Sequence, residues 1–484
     1  MKNRKLSFLL AALMAVSALA SCGDKSPSST DTSAQSGGDS TTAQEKPEYE
    51  FTTEYDGSEI RVLNCDDIFS MHARVDTGET NGETLNDSQY DAVRKLEDNM
   101  GVKWVENNVH LQNDMPGLIR QLITAGDDEY DIIYQSYSQN YYDFTSQGYY
   151  YNLNDYSEIQ LDKPWWLSSF NELMEVNGKL YAGLGYSHLC TIDAASILAF
   201  NQSMMEKLNL ELPYESVKNG SWTIDKLITY CKLAANLNGD ESFTWKADGN
   251  CVWGLSVPNN IGANRLENFG QSIIINENGK LKLNAGSERF YNGCTKLSEL
   301  FSANDGSVCL AHFSGDDKPD SYIGIFENQR ALFGMSEVAK SGRLRKLDFD
   351  FGVLPFPKLD EEQDRYYASL SFPACGVAIP VTCQTPERSA AVGDAINYIF
   401  YKDVWPVFRS VTLEQKNMRN EESIEMLDII LNSTAPIIYE VYTVGDKYVN
   451  ELSDKIRKGD TGFSSLLASY ADAINEKIAE VNEN

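Results

Sequence analysis

The sequence lacks the motifs that mark the common enzyme classes. Its 484 residues contain no G-x-S-x-G elbow, no G-x-x-x-x-G-K-[ST] phosphate loop, no H-E-x-x-H helix and no G-x-G-x-x-G turn. The four histidines lie far apart, at His72, His110, His188 and His312. These absences disfavour an enzyme, but they leave open a carboxylate pair for glycoside hydrolysis, because the separation of such a pair is set only in three dimensions.

Cysteines with the spacing of metal ligands are also missing. No two cysteines form a C-x-x-C pair, and none stands at a Cys/His ligand spacing. We therefore expect no metal site and no cofactor. Eight cysteines follow Cys22, namely Cys65, Cys190, Cys231, Cys251, Cys294, Cys309, Cys375 and Cys383. Their apolar neighbours favour reduced, buried thiols, although an even number in an exported chain keeps disulfides as the alternative.

Basic residues are few and long apolar runs are absent after the N-terminus. Lys and Arg total 41 against 71 Asp and Glu, which gives a formal net charge of −30. Such a charge repels nucleic acid and anionic lipid, so neither is an expected partner. No later apolar run approaches the roughly 20 residues that cross a bilayer. A hydrophobic content of 42% predicts a globular protein, and 484 residues are enough for two domains.

The first 22 residues form a secretory signal. Three basic residues, Lys2, Arg4 and Lys5, precede an apolar run that ends in Leu19-Ala20-Ser21-Cys22. The pattern resembles that of bacterial lipoproteins, whose cysteine receives a diacylglyceryl group. It predicts a signal peptide over 1–21, lipidation of Cys22 and a flexible Ser/Thr-rich linker over 22–50. The alternative is an ordinary signal peptide with a chance cysteine.

This signal also predicts where the protein is located. A diacylglyceryl group supplies the two chains that stable anchoring needs. The protein is then tethered to the outer face of the cytoplasmic membrane, at the cell surface of a Gram-positive-type bacterium or otherwise in the periplasm. Its contact with the membrane would be through the lipid anchor only.

Strand and helix patterns alternate after the linker. Strands are predicted at 60–65, 102–105 and 130–134, with helices between them at 88–100 and near 115–123, where Gly126 ends the second helix. Further strands are predicted at 179–184, 196–201, 349–354 and 375–379, and further helices from 223, from 385 to 401 and at the C-terminus. The alternation predicts an α/β protein with parallel sheets.

Aromatic residues are abundant in the predicted loops. Tyr, Phe and Trp make up 11% of the chain. Their faces stack on sugar rings, while neighbouring polar side chains bond the hydroxyl groups. Open α/β sheets bind ligands beside the carboxyl ends of their strands, where several of these aromatics are predicted.

Several short motifs occur in the order seen in one known family. They are Asn177 to Ala182, Ala199-Phe200-Asn201 with Met204 to Leu210, Trp222 to Asp225, a late helix with Phe326 and Ala331-Leu332-Phe333, and Asp350 to Pro357. Together they resemble the family 1 extracellular solute-binding proteins, the lipid-anchored receptors of carbohydrate ABC importers. Gln329-Arg330 stands where that family has a glycine, and such departures leave the ligand's identity open.

The resemblance implies a two-lobed periplasmic-binding-protein-like fold of type II, with a ligand cleft between lobes joined by a multi-strand hinge. By analogy, lobe I covers 51–186 plus 369–432, and lobe II covers 187–368 plus 433–484. The implied function is to capture a carbohydrate, an oligosaccharide above all, by lobe closure and to deliver it to ABC permease subunits. The protein is expected to be a monomer and not an enzyme.

Position beside strand ends and crossover segments gives the candidate ligand contacts. Three polar residues, Asp67, Gln135 and Ser336, are predicted to bond sugar hydroxyls. Five aromatic residues are predicted to stack on the sugar, namely Tyr137, Trp165, Tyr186, Trp253 and Phe372. No catalytic residue is predicted. For each aromatic a role in the core is the competing interpretation.

Two other functions stay open. One is a receptor for a non-sugar solute such as a peptide or amino acid; an anionic ligand would need Arg or Lys in the cleft, and few basic residues stand in the predicted loops. The other is a surface glycan hydrolase, which would need two carboxylates across a cleft.

Overall fold

The computed structural model describes residues 48–51, 54–67, 71–312, 318–370 and 374–483. The predicted signal peptide, Cys22, the linker up to residue 47 and Phe372 lie outside the described residues. Within them, no helix is long and apolar enough to cross a membrane.

Thirteen strands occur in the described residues, most of them short. They are β1 (Ser58–Cys65), β2 (Val102–Val109), β3 (Ile132–Ser136), β4 (Ser196–Asn201), β5 (Trp253–Pro258), β6 (Ile274–Asn276), β7 (Leu281–Leu283), β8 (Val308–Ala311), β9 (Ala331–Glu337), β10 (Phe351–Leu354), β11 (Ala368–Ser369), β12 (Cys375–Ala378) and β13 (Thr434–Ala435).

Helices connect and flank these strands throughout the described part of the chain. They are α1 (Thr84–Met100), α2 (Met115–Ala125), α3 (Tyr141–Ser146), α4 (Ser168–Met174), α5 (Cys190–Asp193), α6 (Gln202–Lys207), α7 (Tyr214–Lys218), α8 (Ile224–Ala234), α9 (Glu288–Phe301), α10 (Tyr322–Glu327), α11 (Ser341–Leu344), α12 (Pro386–Ile399), α13 (Trp405–Val407), α14 (Glu421–Leu431), α15 (Ile438–Val441), α16 (Asp446–Lys458) and α17 (Phe463–Glu483). Short 3₁₀ helices lie at Leu153–Asp155, Ala263–Phe269 and Val338–Lys340, and π-helical segments at Phe400–Val404 and Phe408–Asn417.

Two main sheets organise the molecule. The first has the strand order β12-β3-β1-β2, in which β1, β2 and β3 are parallel and β12 is antiparallel. The second has the order β10-β4-β9-β5-β8, in which β4 runs against β9 and β10. The predicted α/β class is therefore confirmed, and β1, β2 and β3 form the expected parallel arrangement. Both sheets also contain antiparallel strands, which the prediction did not include, and the two sheets correspond to a two-lobed architecture.

The first sheet forms where the sequence pattern predicted it. Helix α1 buries Leu85, Val93 and Leu96 on one face and ends at Gly101, whose φ of 60° is left-handed. A side chain at Gly101 would also collide with the carbonyl oxygen of Tyr55. Glycine is therefore required at this turn, and it brings the chain directly into β2.

Some sequence predictions differ from the structure. Residues 179–184 form no strand; their β-type pairing is limited to isolated bridges, at Val176 with Lys179 and at Gly183 with Val377. The late helix expected around residues 326–333 ends at Glu327, and Ala331 already begins β9. In the second segment the left-handed φ of 57° at Gln329 ends the helical turn before β9.

The predicted lobe boundaries remain a prediction. Helices α1 and α12 pack against each other on the first sheet, whereas α14 packs against β10 of the second. The backbone N–H of Val353 in β10 donates to Ser423 Oγ of α14 at 3.2 Å. Helix α14 is therefore in contact with the second sheet.

Candidate functional site

A ladder of three chain segments connects the neighbourhoods of the two sheets. Ala195, just before β4, forms an antiparallel bridge with Leu370, just after β11. Strand β11 pairs in turn with β13. From Leu370 the chain reaches β12 of the first sheet within a few residues. This connecting ladder, formed by residues 195–196, 368–370 and 434–435, corresponds to a hinge of several strands.

Two cavities adjoin the connecting ladder and share Leu370. The larger, which we name the Tyr186 cavity, has a volume of about 250 Å³. It is lined by Leu167, Tyr186, Thr191, Ile192, Leu370, Trp405, Arg409, Asp428, Leu431, Asn432 and Thr434. The smaller, the Tyr137 cavity, has a volume of about 30 Å³, which is room for about one water molecule. It is lined by Tyr137, Ser138, Phe170, Leu370, Ala374, Pro436, Ile437, Glu440 and Val441.

The Tyr186 cavity combines aromatic faces with hydrogen-bonding groups. The ring of Tyr186 lies 5.5 Å from that of Trp405 and 5.1 Å from that of Tyr401, centroid to centroid. Burial, and then the neighbouring Tyr401, raise the pKa of Tyr186 to about 12, so its hydroxyl stays protonated at neutral pH. The Arg409 guanidinium donates to both carboxylate oxygens of Asp428, each at 2.7 Å. The wall therefore offers stacking surface together with a fixed charge pair.

A buried charged cluster lies beside the Tyr137 cavity. Arg265 and Glu267 are on the 3₁₀ helix that follows β5, and Glu440 of α15 lines the cavity itself. Arg265 Nε and Nη1 have no partner among the described residues. Burial lowers the pKa of Arg265, which Tyr439 and Glu440 oppose, and burial raises the pKa of Glu440.

Glu267 is the most perturbed carboxylate of this cluster. Its Oε2 accepts a hydrogen bond from Ser272, and its Oε1 has no partner among the described residues. Burial, above all, raises its pKa to about 8; Ser272 and Arg265 oppose the shift and Glu440 adds to it. The side chain is therefore largely protonated at neutral pH, which limits the negative charge in the cluster.

The structure places two of the predicted aromatics at the cavities. Tyr186 lines the larger cavity and Tyr137 the smaller, where the Tyr137 hydroxyl donates to the carbonyl of Ala182 at 2.5 Å. Ser336 lies at the carboxyl end of β9, opposite Ile197 at the start of β4. Its buried hydroxyl has no partner among the described residues.

Two predicted polar contacts already have partners within the protein. Asp67 follows β1, and its Oδ1 accepts from the backbone of Ala73 at 2.7 Å and of Arg74 at 3.2 Å. Gln135 is buried in β3 and accepts from the Tyr150 hydroxyl at 2.5 Å. Its amide donates to the carbonyls of Ser136 and Gln139. Gln135 therefore forms hydrogen bonds within the protein at the end of β3, and it lines neither cavity.

The two predicted tryptophans are packed elsewhere. Trp165 is 1% exposed; Tyr49 and Tyr398 pack on its ring, and its indole N–H donates to Asp394 at 2.8 Å. Trp253 begins β5, at the end of the strand opposite to the ladder, and packs against Phe243. Neither tryptophan lines the cavities, so the geometry gives their predicted stacking roles no support. The last predicted aromatic, Phe372, lies outside the described residues.

Sequence reasoning missed the other wall of the Tyr186 cavity. Trp405, Arg409 and Asp428 lie on helical or π-helical segments after α12, not beside a strand end. The interruption of an α-helix by π-helical turns is frequent at functional sites. The Pro406 that follows Trp405 was the one local signal for an irregular helix here.

Comparison with known proteins finds solved structures with a similar fold, but no protein with a similar sequence. No family model and no curated protein matches the chain. An ABC substrate-binding protein from Listeria monocytogenes, solved in complex with cycloalternan, matches with a TM-score of 0.56 at 16% identity, over 88% of this chain and 100% of that one. A cyclo/maltodextrin-binding protein complexed with maltotetraose matches with a TM-score of 0.57 at 14% identity, over 88% of this chain and 98% of that one.

A third similar structure comes from Bifidobacterium longum. It is the galacto-N-biose/lacto-N-biose I-binding protein of an ABC transporter in complex with lacto-N-biose, with a TM-score of 0.56 at 12% identity over 88% of this chain and 98% of that one. These matches extend over nearly the whole length of each relative. The chain therefore has the two-lobed fold of ABC solute-binding proteins, as the sequence motifs suggested.

Proposed function

We propose that this protein is an extracellular solute-binding protein that captures a carbohydrate and delivers it to an ABC permease. Three solved proteins that share its fold were crystallised with cycloalternan, maltotetraose and lacto-N-biose. The observation in this chain that supports the proposal most is the Tyr186 cavity at the connecting ladder. A receptor that closes by hinge motion needs its ligand near such a junction, where contacts to both lobes are possible.

The chemistry of the cavity suits a neutral polyhydroxylated ligand. Tyr186 and Trp405 offer aromatic faces for the apolar side of a sugar ring. Thr191, Asn432 and Asp428 offer oxygen and nitrogen atoms to the hydroxyl groups. The Arg409 guanidinium is paired with Asp428, so this wall carries no uncompensated positive charge that would call for an anionic ligand. We therefore propose an oligosaccharide over a peptide or amino acid.

Substitution of the cavity aromatics tests this proposal. Tyr186→Ala and Trp405→Ala should each weaken oligosaccharide binding by at least about tenfold, since one aromatic contact is worth about 0.5–1.5 kcal/mol in addition to its buried area. Tyr291→Ala is the matched control, because Tyr291 is a half-buried tyrosine on α9 that lines neither cavity. Isothermal titration would measure the affinities. If Tyr186→Ala, Trp405→Ala and Tyr291→Ala bind the oligosaccharide equally tightly, the ligand does not bind in the Tyr186 cavity.

The anchor and the delivery step belong to the same proposal. We propose that Cys22 carries the lipid that holds the protein at the outer face of the membrane, and that the protein acts as a monomer. Metabolic labelling with an alkyne fatty acid should mark the wild-type chain and leave Cys22→Ser unlabelled. Label retained on the variant would contradict anchoring through Cys22.

A further inference from the structure

Three buried side chains of the kinds that bind metal ions lie close together at one end of the first sheet. Cys65 ends β1, Cys375 begins β12, and His188 lies in the segment that leads toward β4. All three are buried, and each offers one ligand atom within 4.8 Å of the others. Cys65 Sγ lies 3.9 Å from His188 Nε2. Because His188 is 123 residues from Cys65 in the chain, no local spacing could have revealed this group.

The distance between Cys65 and His188 is close to that in a tetrahedral zinc site, and the other two ligand separations are no more than 4.8 Å. With Zn–S near 2.3 Å and Zn–N near 2.0–2.1 Å, two ligands at a tetrahedral angle lie about 3.8 Å apart for two sulfurs and about 3.6 Å for sulfur and nitrogen. The measured 3.9 Å from sulfur to nitrogen needs only a small side-chain adjustment. Two thiolates would also balance the charge of Zn²⁺ in this buried position.

A disulfide is a poorer explanation of the same contact. In the first sheet β3 lies between β12 and β1. Two inter-strand spacings separate backbones by about 9.5 Å. The two Cα atoms of a disulfide lie less than about 7 Å apart. The strand order therefore disfavours an S–S bond between Cys65 and Cys375, and both cysteines are free.

His188 places its Nε2 atom next to Cys65 and Asn64. Its Nε2 lies 3.1 Å from Asn64 Oδ1, which is already held by the backbone N–H of Cys65 at 2.8 Å. The other ring nitrogen, Nδ1, has no partner among the described residues. Binding of a metal through Nε2 would move the imidazole proton to Nδ1 and would replace the hydrogen bond between Nε2 and Asn64 Oδ1.

We propose that Cys65, His188 and Cys375 bind one Zn²⁺ ion. Binding releases the two thiol protons to solvent and places the imidazole proton on Nδ1, so the site is neutral overall. The ion would tie β1 and β12 to the segment that leads into the connecting ladder. This inference is independent of the proposed carbohydrate function.

Zinc content and affinity test the proposal on the intact chain under reducing conditions. Equilibrium dialysis with elemental analysis should give one tightly bound Zn²⁺ per wild-type chain. Cys65→Ser and Cys375→Ser should each weaken binding by at least about 100-fold. Cys294→Ser, which changes a buried cysteine of α9, should bind as the wild type does. Equal zinc affinity in Cys65→Ser and Cys294→Ser would overturn the site.

A measurement on the wild type covers the case in which the serine variants fail to fold. Co²⁺ added to the metal-free chain should give the intense near-ultraviolet absorption of thiolate-to-cobalt charge transfer, and Zn²⁺ should remove it. Absence of that band, or failure of the wild type to retain any Zn²⁺, would refute the proposal.

Discussion

Glu267→Gln should stabilise the protein at alkaline pH and leave its stability unchanged in acid. Glutamine has nearly the shape of the protonated carboxyl and can keep a hydrogen bond with Ser272. It cannot ionise, so it removes the cost of placing a negative charge in this buried position. The effect should therefore grow over the pH range in which the unfolded chain loses its proton and the folded chain keeps it.

The size and sign of the effect follow from the pKa. Burial raises the pKa of Glu267 from 4.5 to about 8, and each pKa unit corresponds to 1.36 kcal/mol. The folded chain binds more protons than the unfolded chain between these values, so the free energy of unfolding falls as pH rises through this window. The loss amounts to about 4–5 kcal/mol at most and is complete above the folded pKa.

Urea unfolding at a series of pH values measures this effect. The difference in unfolding free energy between Glu267→Gln and wild type should be near zero at pH 4 and reach several kcal/mol at pH 9. Taking the difference cancels the titrating groups that do not interact with Glu267. Glu476→Gln, on an exposed face of α17, is the control and should show a small difference at every pH. A difference for Glu267→Gln that does not change with pH would refute the reasoning.

Three further predictions concern packing. Asp394→Ala should lower the unfolding free energy by about 3–5 kcal/mol in chemical denaturation, because it removes the acceptor of several buried donors, including Trp165 at 2.8 Å. Trp165→Phe should cost about 1–3 kcal/mol and leave sugar affinity unchanged in calorimetry; a loss of affinity at intact stability would restore its predicted ligand role. Gly352→Ala should lower the melting temperature, at a cost of about 1–3 kcal/mol, because the new methyl group would collide with Tyr214 and Phe200; an unchanged melting temperature would contradict that collision.

Elements with a strong local period were predictable from the sequence. Helix α2 shows apolar residues at helical spacing and ends at Gly126, whose φ of 72° is left-handed. The strand predicted at 179–184 does not form, because a strand-like sequence does not by itself supply a partner strand. Within this segment, only Lys179 and Gly183 form β-bridges. The α/β class was predicted correctly because it depends on helices and strands with such periodic patterns.

The candidate site was less predictable, because it depends on distant segments. Tyr186 was found from its position at a crossover, but the groups facing it, Trp405 and Asp428, come from helices more than 200 residues later. The cysteine and histidine cluster shows the same limit. Spacing rules find metal ligands that are close in the chain, whereas Cys65, His188 and Cys375 meet only through sheet topology.

The most direct test of the account is a calorimetric titration of the protein with a panel of neutral oligosaccharides, followed by mass analysis of the recovered sugar. The account predicts that at least one oligosaccharide binds at about micromolar affinity, worth about 8 kcal/mol, and is recovered intact. Binding of none of the sugars, or recovery of shorter products after incubation, would contradict it.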